Sequence, residues 1–425
     1  MKTRILIVIL LTGMLLNANA QQFDPNQFAY NFVSAQYIRI VGNPQRCALY
    51  FDMDRLYNFN LYERSRWGGG LHLVWNTNGQ ILRQLTADGY AGYGTYDKRW
   101  KWGGRVDLLW NERHQPHLYV AYIDDLAAVA SRTLESYQLF NFSNNSHFMS
   151  RRFHHVRRAT AGWQWTAWKK LTINIEGRIS AEQRLYHSVN TFSSDLIYPS
   201  SFHSDNVFHE FRIALQHSSG WRGETTTGIG GEYFFTRTIG QYAHTFRPGP
   251  FDLSVFSQVG IVLSPKNGQI PYSRMFDLGG SWNSSYCFQR TLLTASPNEF
   301  TAEAFGFLSL RLSLRKPLYE VFSDLFQLGS SPRPFIQMVA AWGTLWNHDA
   351  NGQRQVELGS FDNLTLQAPN LGILEPAIGI DGLIRWGITD WGVAAAYRLT
   401  PTTAAYHRAS PRDNLALMVS LTLHP

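Results

Sequence analysis

Cysteine is almost missing from this chain: Cys47 and Cys287 are the only two among 425 residues. At most one disulfide can form, so neither a disulfide scaffold nor a four-thiolate metal site can be built. Charge is scarce as well. Charged residues make up 16% of the sequence against 14% aromatics, a balance too apolar for disorder and too poor in charge for an ordinary cytosolic enzyme. After the first twenty residues no apolar run reaches the roughly 18 residues that a membrane-spanning helix requires. A helical membrane protein is therefore excluded. The 38 basic and 31 acidic residues are scattered and form no nucleic-acid-binding face.

What is present begins with an address. Met1-Lys2-Thr3-Arg4 is basic, Ile5 to Leu16 is an apolar stretch interrupted only by Thr12 and Gly13, and Ala18-Asn19-Ala20 supplies a small-x-small site. That order reads as a cleaved secretory signal peptide over residues 1–20, in preference to a short buried helix. No cysteine follows the site, which argues against a lipid anchor there. Loss of Lys2 and Arg4 would leave 36 basic residues against 31 acidic ones. Residues 21–54 read as a segment leading into or forming the first strand, and 55–425 as one domain without an internal linker.

Apolar bilayer supplies no hydrogen-bond partners, so a spanning chain without helices must close a β-barrel, and period two is its mark. Trp100, Trp102, Gly104, Val106, Leu108 and Trp110 alternate with Lys101, Gly103, Arg105, Asp107 and Leu109. Leu171, Ile173, Ile175, Gly177, Ile179 and Ala181 alternate with Thr172, Asn174, Glu176, Arg178 and Ser180. The same period sets Val207, Phe211, Ile213 and Leu215 against Glu210, Arg212 and Gln216, and Leu308 to Leu314 against Ser309, Arg311, Ser313 and Arg315. Leu415 to Leu423 closes the sequence in like fashion. Trp67 and Trp75, Trp100 and Trp110, and Trp386 and Trp391 stand near strand ends, where interfacial girdles need them.

The expected fold is all-β: a transmembrane antiparallel β-barrel of roughly 12 to 16 strands, at about 10 residues per tilted strand. Tight turns at Asn78-Gly79, Lys169-Lys170, Ser219-Gly220 and Asn267-Gly268 are expected to alternate with longer stretches near 125–152, 183–206, 238–250 and 276–297. One segment breaks the period. Leu318, Val321, Phe322, Leu325 and Phe326 behind Pro317 predict a short amphipathic helix, read as a packing element.

Four motifs carry a resemblance. They are Gly92-Tyr93-Gly94-Thr95-Tyr96-Asp97-Lys98-Arg99-Trp100-Lys101-Trp102-Gly103, then Gly268-Gln269-Ile270-Pro271-Tyr272, then Asn298-Glu299-Phe300-Thr301-Ala302-Glu303, and Leu374-Glu375-Pro376-Ala377-Ile378-Gly379-Ile380-Asp381-Gly382-Leu383. In this order they resemble a family of Bacteroidetes outer-membrane proteins of unknown function, whose barrel usually follows a carboxypeptidase-regulatory-like domain. That domain has no counterpart here, and Glu303 stands where the family has Asp. The resemblance implies a barrel in the outer membrane and lends no activity. The residues it singles out are Gly92, Gly94, Asp97, Lys98, Lys101, Gly268, Pro271, Tyr272, Glu299, Phe300, Glu375 and Gly379.

Chemistry is less legible. No Gly-x-Ser-x-Gly elbow occurs, and His209-Glu210 begins like a zinc-protease helix but continues to Ile213 with the period of a strand. No catalytic residue, cofactor or metal site is assigned. Arg151, Arg152, Arg157 and Arg158, in the densest charge run, are candidate contacts for anionic lipopolysaccharide phosphates, with a solvated loop entering a strand as the plainer reading. On the polar strand faces, Lys101, Arg105, Arg178, Arg212, Arg311, Arg315, Arg385 and Arg398 are set against Asp107, Glu176, Glu210 and Asp381. An open lumen with that excess would favour anions; a filled one would hold a salt-bridged core, the reading preferred here.

The leading functional expectation is a non-enzymatic outer-membrane barrel serving as a pore, a transport part or an envelope-assembly component. Its partners would be outer-membrane lipid, lipopolysaccharide and assembly or secretion machinery. A barrel-embedded lipid hydrolase or acyltransferase, and a secreted soluble β-sandwich that binds glycans, are the alternatives.

Overall fold

The computed structural model describes residues 37–423 apart from 53–54, 61–62, 78, 80, 111–115, 133, 135–152, 168–169, 184–205, 232, 266–269, 280–290, 297–298, 316–331, 358–362 and 387–388. The strands are β1 (Tyr37–Asn43), β2 (Cys47–Asp52), β3 (Tyr57–Asn60), β4 (Arg64–Asn76), β5 (Leu82–Gly94), β6 (Trp100–Trp110), β7 (His117–Ala128) and β8 (Phe153–Ala167). They continue with β9 (Leu171–Gln183), β10 (Asn206–His217), β11 (Trp221–Gly230), β12 (Tyr233–Phe246), β13 (Phe251–Leu263), β14 (Phe276–Asp277), β15 (Thr301–Ala302) and β16 (Ala304–Leu314). The last are β17 (Arg333–Thr344), β18 (Gln353–Glu357), β19 (Asn363–Gln367), β20 (Ile373–Trp386), β21 (Thr389–Tyr397) and β22 (Leu415–Leu423).

Eighteen strands form one sheet, while β14 with β15 and β18 with β19 form two small ladders. From β4 to β22 each strand of the large sheet pairs antiparallel with its neighbour in chain order, β13 passing to β16 and β17 to β20. Before them, β2 and β3 lie end to end along β4, and β1 adds to β2. The sheet exceeds the expected range because residues 37–60 contribute three short pieces of 7, 6 and 4 residues.

Alternation decides which way the sheet curls. Side chains of successive strand residues leave opposite faces. On one face Lys101, Arg105, Asp107, Glu176, Arg178, Glu210 and Arg212 are all buried, while on the other Trp100, Val106, Ile179, Phe211 and Ile336 are 38–64% exposed. The charged face is turned in upon itself and the apolar face lies outside, so the fold is a β-barrel. A soluble sandwich would bury its apolar faces against each other, the reverse of what is found. Outward tryptophans mark both ends of the wall. Trp67 and Trp75 sit at opposite ends of β4, 49% and 50% exposed, and Trp110 stacks on Trp163 at 5.7 Å.

Connections sort by end with three exceptions. Those after β4, β6, β8, β10, β12 and β20 are short and those after β7, β9, β13, β17 and β21 are long, but the connection after β16 (315–332) is long on the short-turn side, and those after β5 and β11 are short on the other. Ser219-Gly220 falls in a short turn, while Asn78, Lys169 and Asn267-Gly268 lie outside the described residues. One expectation is corrected: 238–250 lies mostly inside β12. The amphipathic segment at 318–326 lies outside the described residues.

Candidate functional site

The long connections do not all stay outside. Residues Pro271–Leu278 fold inward as a short 3-10 turn, Tyr272–Arg274, followed by β14. Tyr272, Met275, Phe276 and Leu278 are fully buried there with Phe208, Phe235, Phe256 and Phe305 from the inner wall. Ala130 and Ser131, beyond β7, join from the side: the Asp277 amide donates to the Ala130 carbonyl, and Arg237 donates to that of Ser131 at 2.6 Å. Period two places Phe208 and Phe235 on the face of the charges, and these inward loops are what they pack against.

Charges in this half are paired throughout the described wall. Arg274 reaches Glu182 at 2.6 Å and Glu210 at 2.7 Å, tying the inward turn to β9 and β10. Glu176 receives Arg178 and Arg212, Arg212 continues to Glu224, and the Tyr119 hydroxyl donates to Glu176 at 2.6 Å. Nearer the short turns, Arg105 and His117 both engage Asp107. Further along, Arg66 bridges Glu63 (2.7 Å) and Asp125 (2.6 Å), and the Tyr90 hydroxyl also donates to Asp125.

The motif residues converge on two places. Lys101 pairs with Asp97 and Glu63 at the β5–β6 turn. Gly94 leaves room for that trio, since a Cβ there would lie 2.1 Å from Asp97 and 2.9 Å from Glu63. Lys98 holds the turn with φ of +54°, in the left-handed region. The other place is the return of the β13–β16 connection. Glu375 on β20 accepts the backbone amides of Leu293 (2.8 Å) and Thr294 (2.9 Å) and the Thr294 hydroxyl. Arg398, just past β21, donates to the Thr294 carbonyl at 2.6 Å and to Glu299 at 2.8 Å, and Arg408 also donates to Glu299 at 2.8 Å. Phe300 is fully buried edge-on to Tyr406, and Gly379 gives way to Phe335, whose ring a Cβ would meet at 2.4 Å. Pro271 and Tyr272 open the inward turn, Gly92 flanks Arg66, and Gly268 lies outside the described residues.

Titration at these loops follows from burial and partners. Burial pushes the Glu299 carboxyl up, yet Arg398, the Ser296 amide and Arg408 outweigh it and hold the group below the usual carboxylate range. At Glu303, which accepts from Arg354 at 2.8 Å and from the Trp346 amide, burial wins and the carboxyl is raised. Burial likewise raises the Tyr406 phenol.

The other half of the lumen is different. Toward the short turns the inward positions lose their cover: Gln216 and Arg222 are exposed, and Thr166, Gln241 and Ser313 are partly so. Among the described residues the lumen is thus filled toward the long connections and less covered toward the short turns. Arg311 meets Asp381 toward that end, where Asp381 is 41% exposed. Arg315 is a correction: it lies beyond β16, 41% exposed, and pairs with Asp252 at 3.2 Å on the rim. The side chain of Arg385 is outside the described residues.

Two further expectations change. The twofold excess of cations narrows to near balance: the buried described residues include eleven Lys and Arg, among them Arg66, Arg158, Arg237 and Arg274, against nine carboxylates, among them Glu63, Asp125, Glu182, Glu224, Glu303 and Glu375. The arginine run divides. Arg151 and Arg152 are outside the described residues, while β8 begins at Phe153, so Arg157 and Arg158 belong to the strand that the run enters. Arg158 points inward, buried and bonded to Ser180, and Arg157 points outward, 49% exposed, 3.3 Å from Asp124. Glu210 and His209 leave opposite faces. Among the described residues no group of three or more His, Cys, Asp or Glu is placed to hold a metal ion.

No protein-family model and no curated protein matches the sequence. Among solved structures, this chain is similar to BamA from Haemophilus ducreyi lacking POTRA domains 1-3, at 9% identity and a TM-score of 0.45 over 89% of this chain and 71% of that one. CdiB from Escherichia coli matches at 11% identity and a TM-score of 0.44 over 90% and 63%. CdiB from Acinetobacter baumannii matches at 10% and 0.41 over 84% and 57%. The chain thus spans little more than half the length of the CdiB structures it resembles.

Proposed function

We propose that this protein is an outer-membrane β-barrel working as a non-enzymatic transport or envelope-assembly component, with its lumen occluded at the long-loop end. The observation that carries the reading is the pairing of an apolar exterior with an interior whose charges are matched by carboxylates and whose upper half is filled by its own connections. Lipid tolerates such an exterior, and buried charges persist only when paired. Short turns would then face the periplasm and long loops the outside, the usual sense of such barrels. The proposed partners are outer-membrane lipid and the assembly or secretion machinery of the envelope. Recording from the refolded protein in planar bilayers tests this. Silence of the wild type at moderate voltage is the expected result, and a steady anion-preferring conductance would replace occlusion with an open pore.

A further inference from the structure

Unmatched charge gathers at one rim of the barrel. Lys170, Arg222, Arg247, Arg315 and Arg333 stand exposed on or next to the successive connections β8–β9, β10–β11, β12–β13 and β16–β17, all at the short-turn end. Arg46, before β2, and Arg83, in β5, add two more at the same end. Among the described residues the exposed carboxylates are Asp349 and Asp413, and both lie in long connections at the other end. Arg315 has Asp252 at 3.2 Å and Arg333 stands opposite Asp381, whereas Lys170, Arg222 and Arg247 meet no carboxylate among the described residues. Backbone hydrogen bonds hold these turns in rank. The Ser218 amide donates to the Lys170 carbonyl at 3.0 Å, that of Ala243 to Gly220 at 2.9 Å and that of Arg315 to Pro250 at 2.9 Å. Neighbouring hairpins are two strands apart, so the cations recur roughly every 10 Å around the mouth. Like charges ranked in this way repel one another and do nothing for the fold, but they attract an anionic partner.

We propose that this rim docks an acidic stretch of polypeptide from a periplasmic partner, laid along the turns with its carboxylates on Lys170, Arg222 and Arg247. The proposal rests on the reading above that the short turns face the periplasm. Side-chain direction and spacing select the occupant. Arg222, in register with Gln216, and Arg333, opposite Asp381, lie on the inward face of their strands, over the mouth, where headgroups of the surrounding bilayer do not reach. A small anion would satisfy one cation and leave the rest. An extended chain advances about 3.3 Å per residue, so three residues span the step between turns and about 10 cover the four connections. Arg315 already shows the chemistry on Asp252: a guanidinium donating to a carboxylate.

Fluorescence anisotropy of labelled poly-L-glutamate of about 20 residues, long enough to follow the arc, titrated with the protein in phosphatidylcholine nanodiscs, provides the test. Poly-L-glutamine of equal length and free citrate are the comparisons. The wild type should bind poly-L-glutamate at low salt, release it as salt rises and ignore poly-L-glutamine. Lys170→Gln, Arg222→Gln and Arg247→Gln combined should weaken binding about tenfold, as the loss of three exposed charge pairs does. Lys98→Gln, Arg99→Gln and Arg412→Gln combined, three exposed cations at the other end, should leave it unchanged. All six side chains are exposed, and an unaltered urea midpoint checks that each barrel is intact. No binding of poly-L-glutamate, equal weakening by both sets, or an affinity for citrate as high as for the polymer would overturn the assignment. Failure of the protein to enter nanodiscs would instead overturn the membrane reading. Labelling of Cys47, exposed at the same end, from outside intact cells would overturn only the side on which the partner is placed.

Discussion

Gly94 shows how much one missing atom can matter. Three charged groups, those of Glu63, Asp97 and Lys101, meet where its Cβ would stand. Gly94→Ala should therefore destabilise the barrel by roughly 1–3 kcal/mol, as overpacking does, read as a lower urea midpoint for unfolding from detergent. At Glu375 the logic is satisfaction of donors. Gln in its place keeps one acceptor oxygen for three donors, so Glu375→Gln should cost about 1–3 kcal/mol and speed proteolysis near Thr294. The sequence singled out Gly94, Lys101 and Glu375 through their motifs but gave no reason for them. Glu63, Arg66 and Asp125 escaped notice because Glu63 lies in a turn, where period two has no reach, and its partners come from strands far apart in sequence.

Elements were legible in proportion to their regularity. The alternation in β6, β9, β10 and β16 separates Lys101, Arg105, Glu176, Arg178, Glu210, Arg212 and Arg311 from the apolar face as the sequence pattern has them, since a slip of one residue would exchange lipid and lumen. The inward connections were illegible for the same reason: no local period says whether a loop turns out to solvent or back into the barrel. Their anchoring has a pH signature. Because the Glu299 carboxyl is held below its ordinary range, its contribution is present above about pH 4.5, near the unfolded value. It fades as pH falls through the lower folded value. The raised Glu303 carboxyl acts in the opposite sense, contributing below its unfolded pKa and losing that contribution as pH rises through the folded one. Glu299→Gln isolates the first effect. The stability gap between wild type and variant should be widest at neutral pH and shrink on acidification toward pH 3, measured by protease protection of the segment 291–300.

For the molecule as a whole, the sorting of connections fixes an expected orientation. Cys47 is exposed at the start of β2, opposite Trp75, at the short-turn end. In a Cys287→Ser background an impermeant maleimide added to intact cells should leave Cys47 unlabelled, and permeabilising the outer membrane should expose it. Labelling of intact cells would invert the barrel. Strand number was less legible than topology, because the pieces at 37–60 are too short to carry a period of their own.

Among the described residues the lumen is stoppered at one end and lined by exposed polar groups at the other, the shape of a well and not of a tunnel. Whatever diffuses in must leave by the mouth through which it entered, so this conformation equilibrates with a single compartment. Any net passage across the membrane must wait for the protein to rearrange, and its rate would saturate with solute and climb steeply with temperature, unlike leakage through a fixed hole.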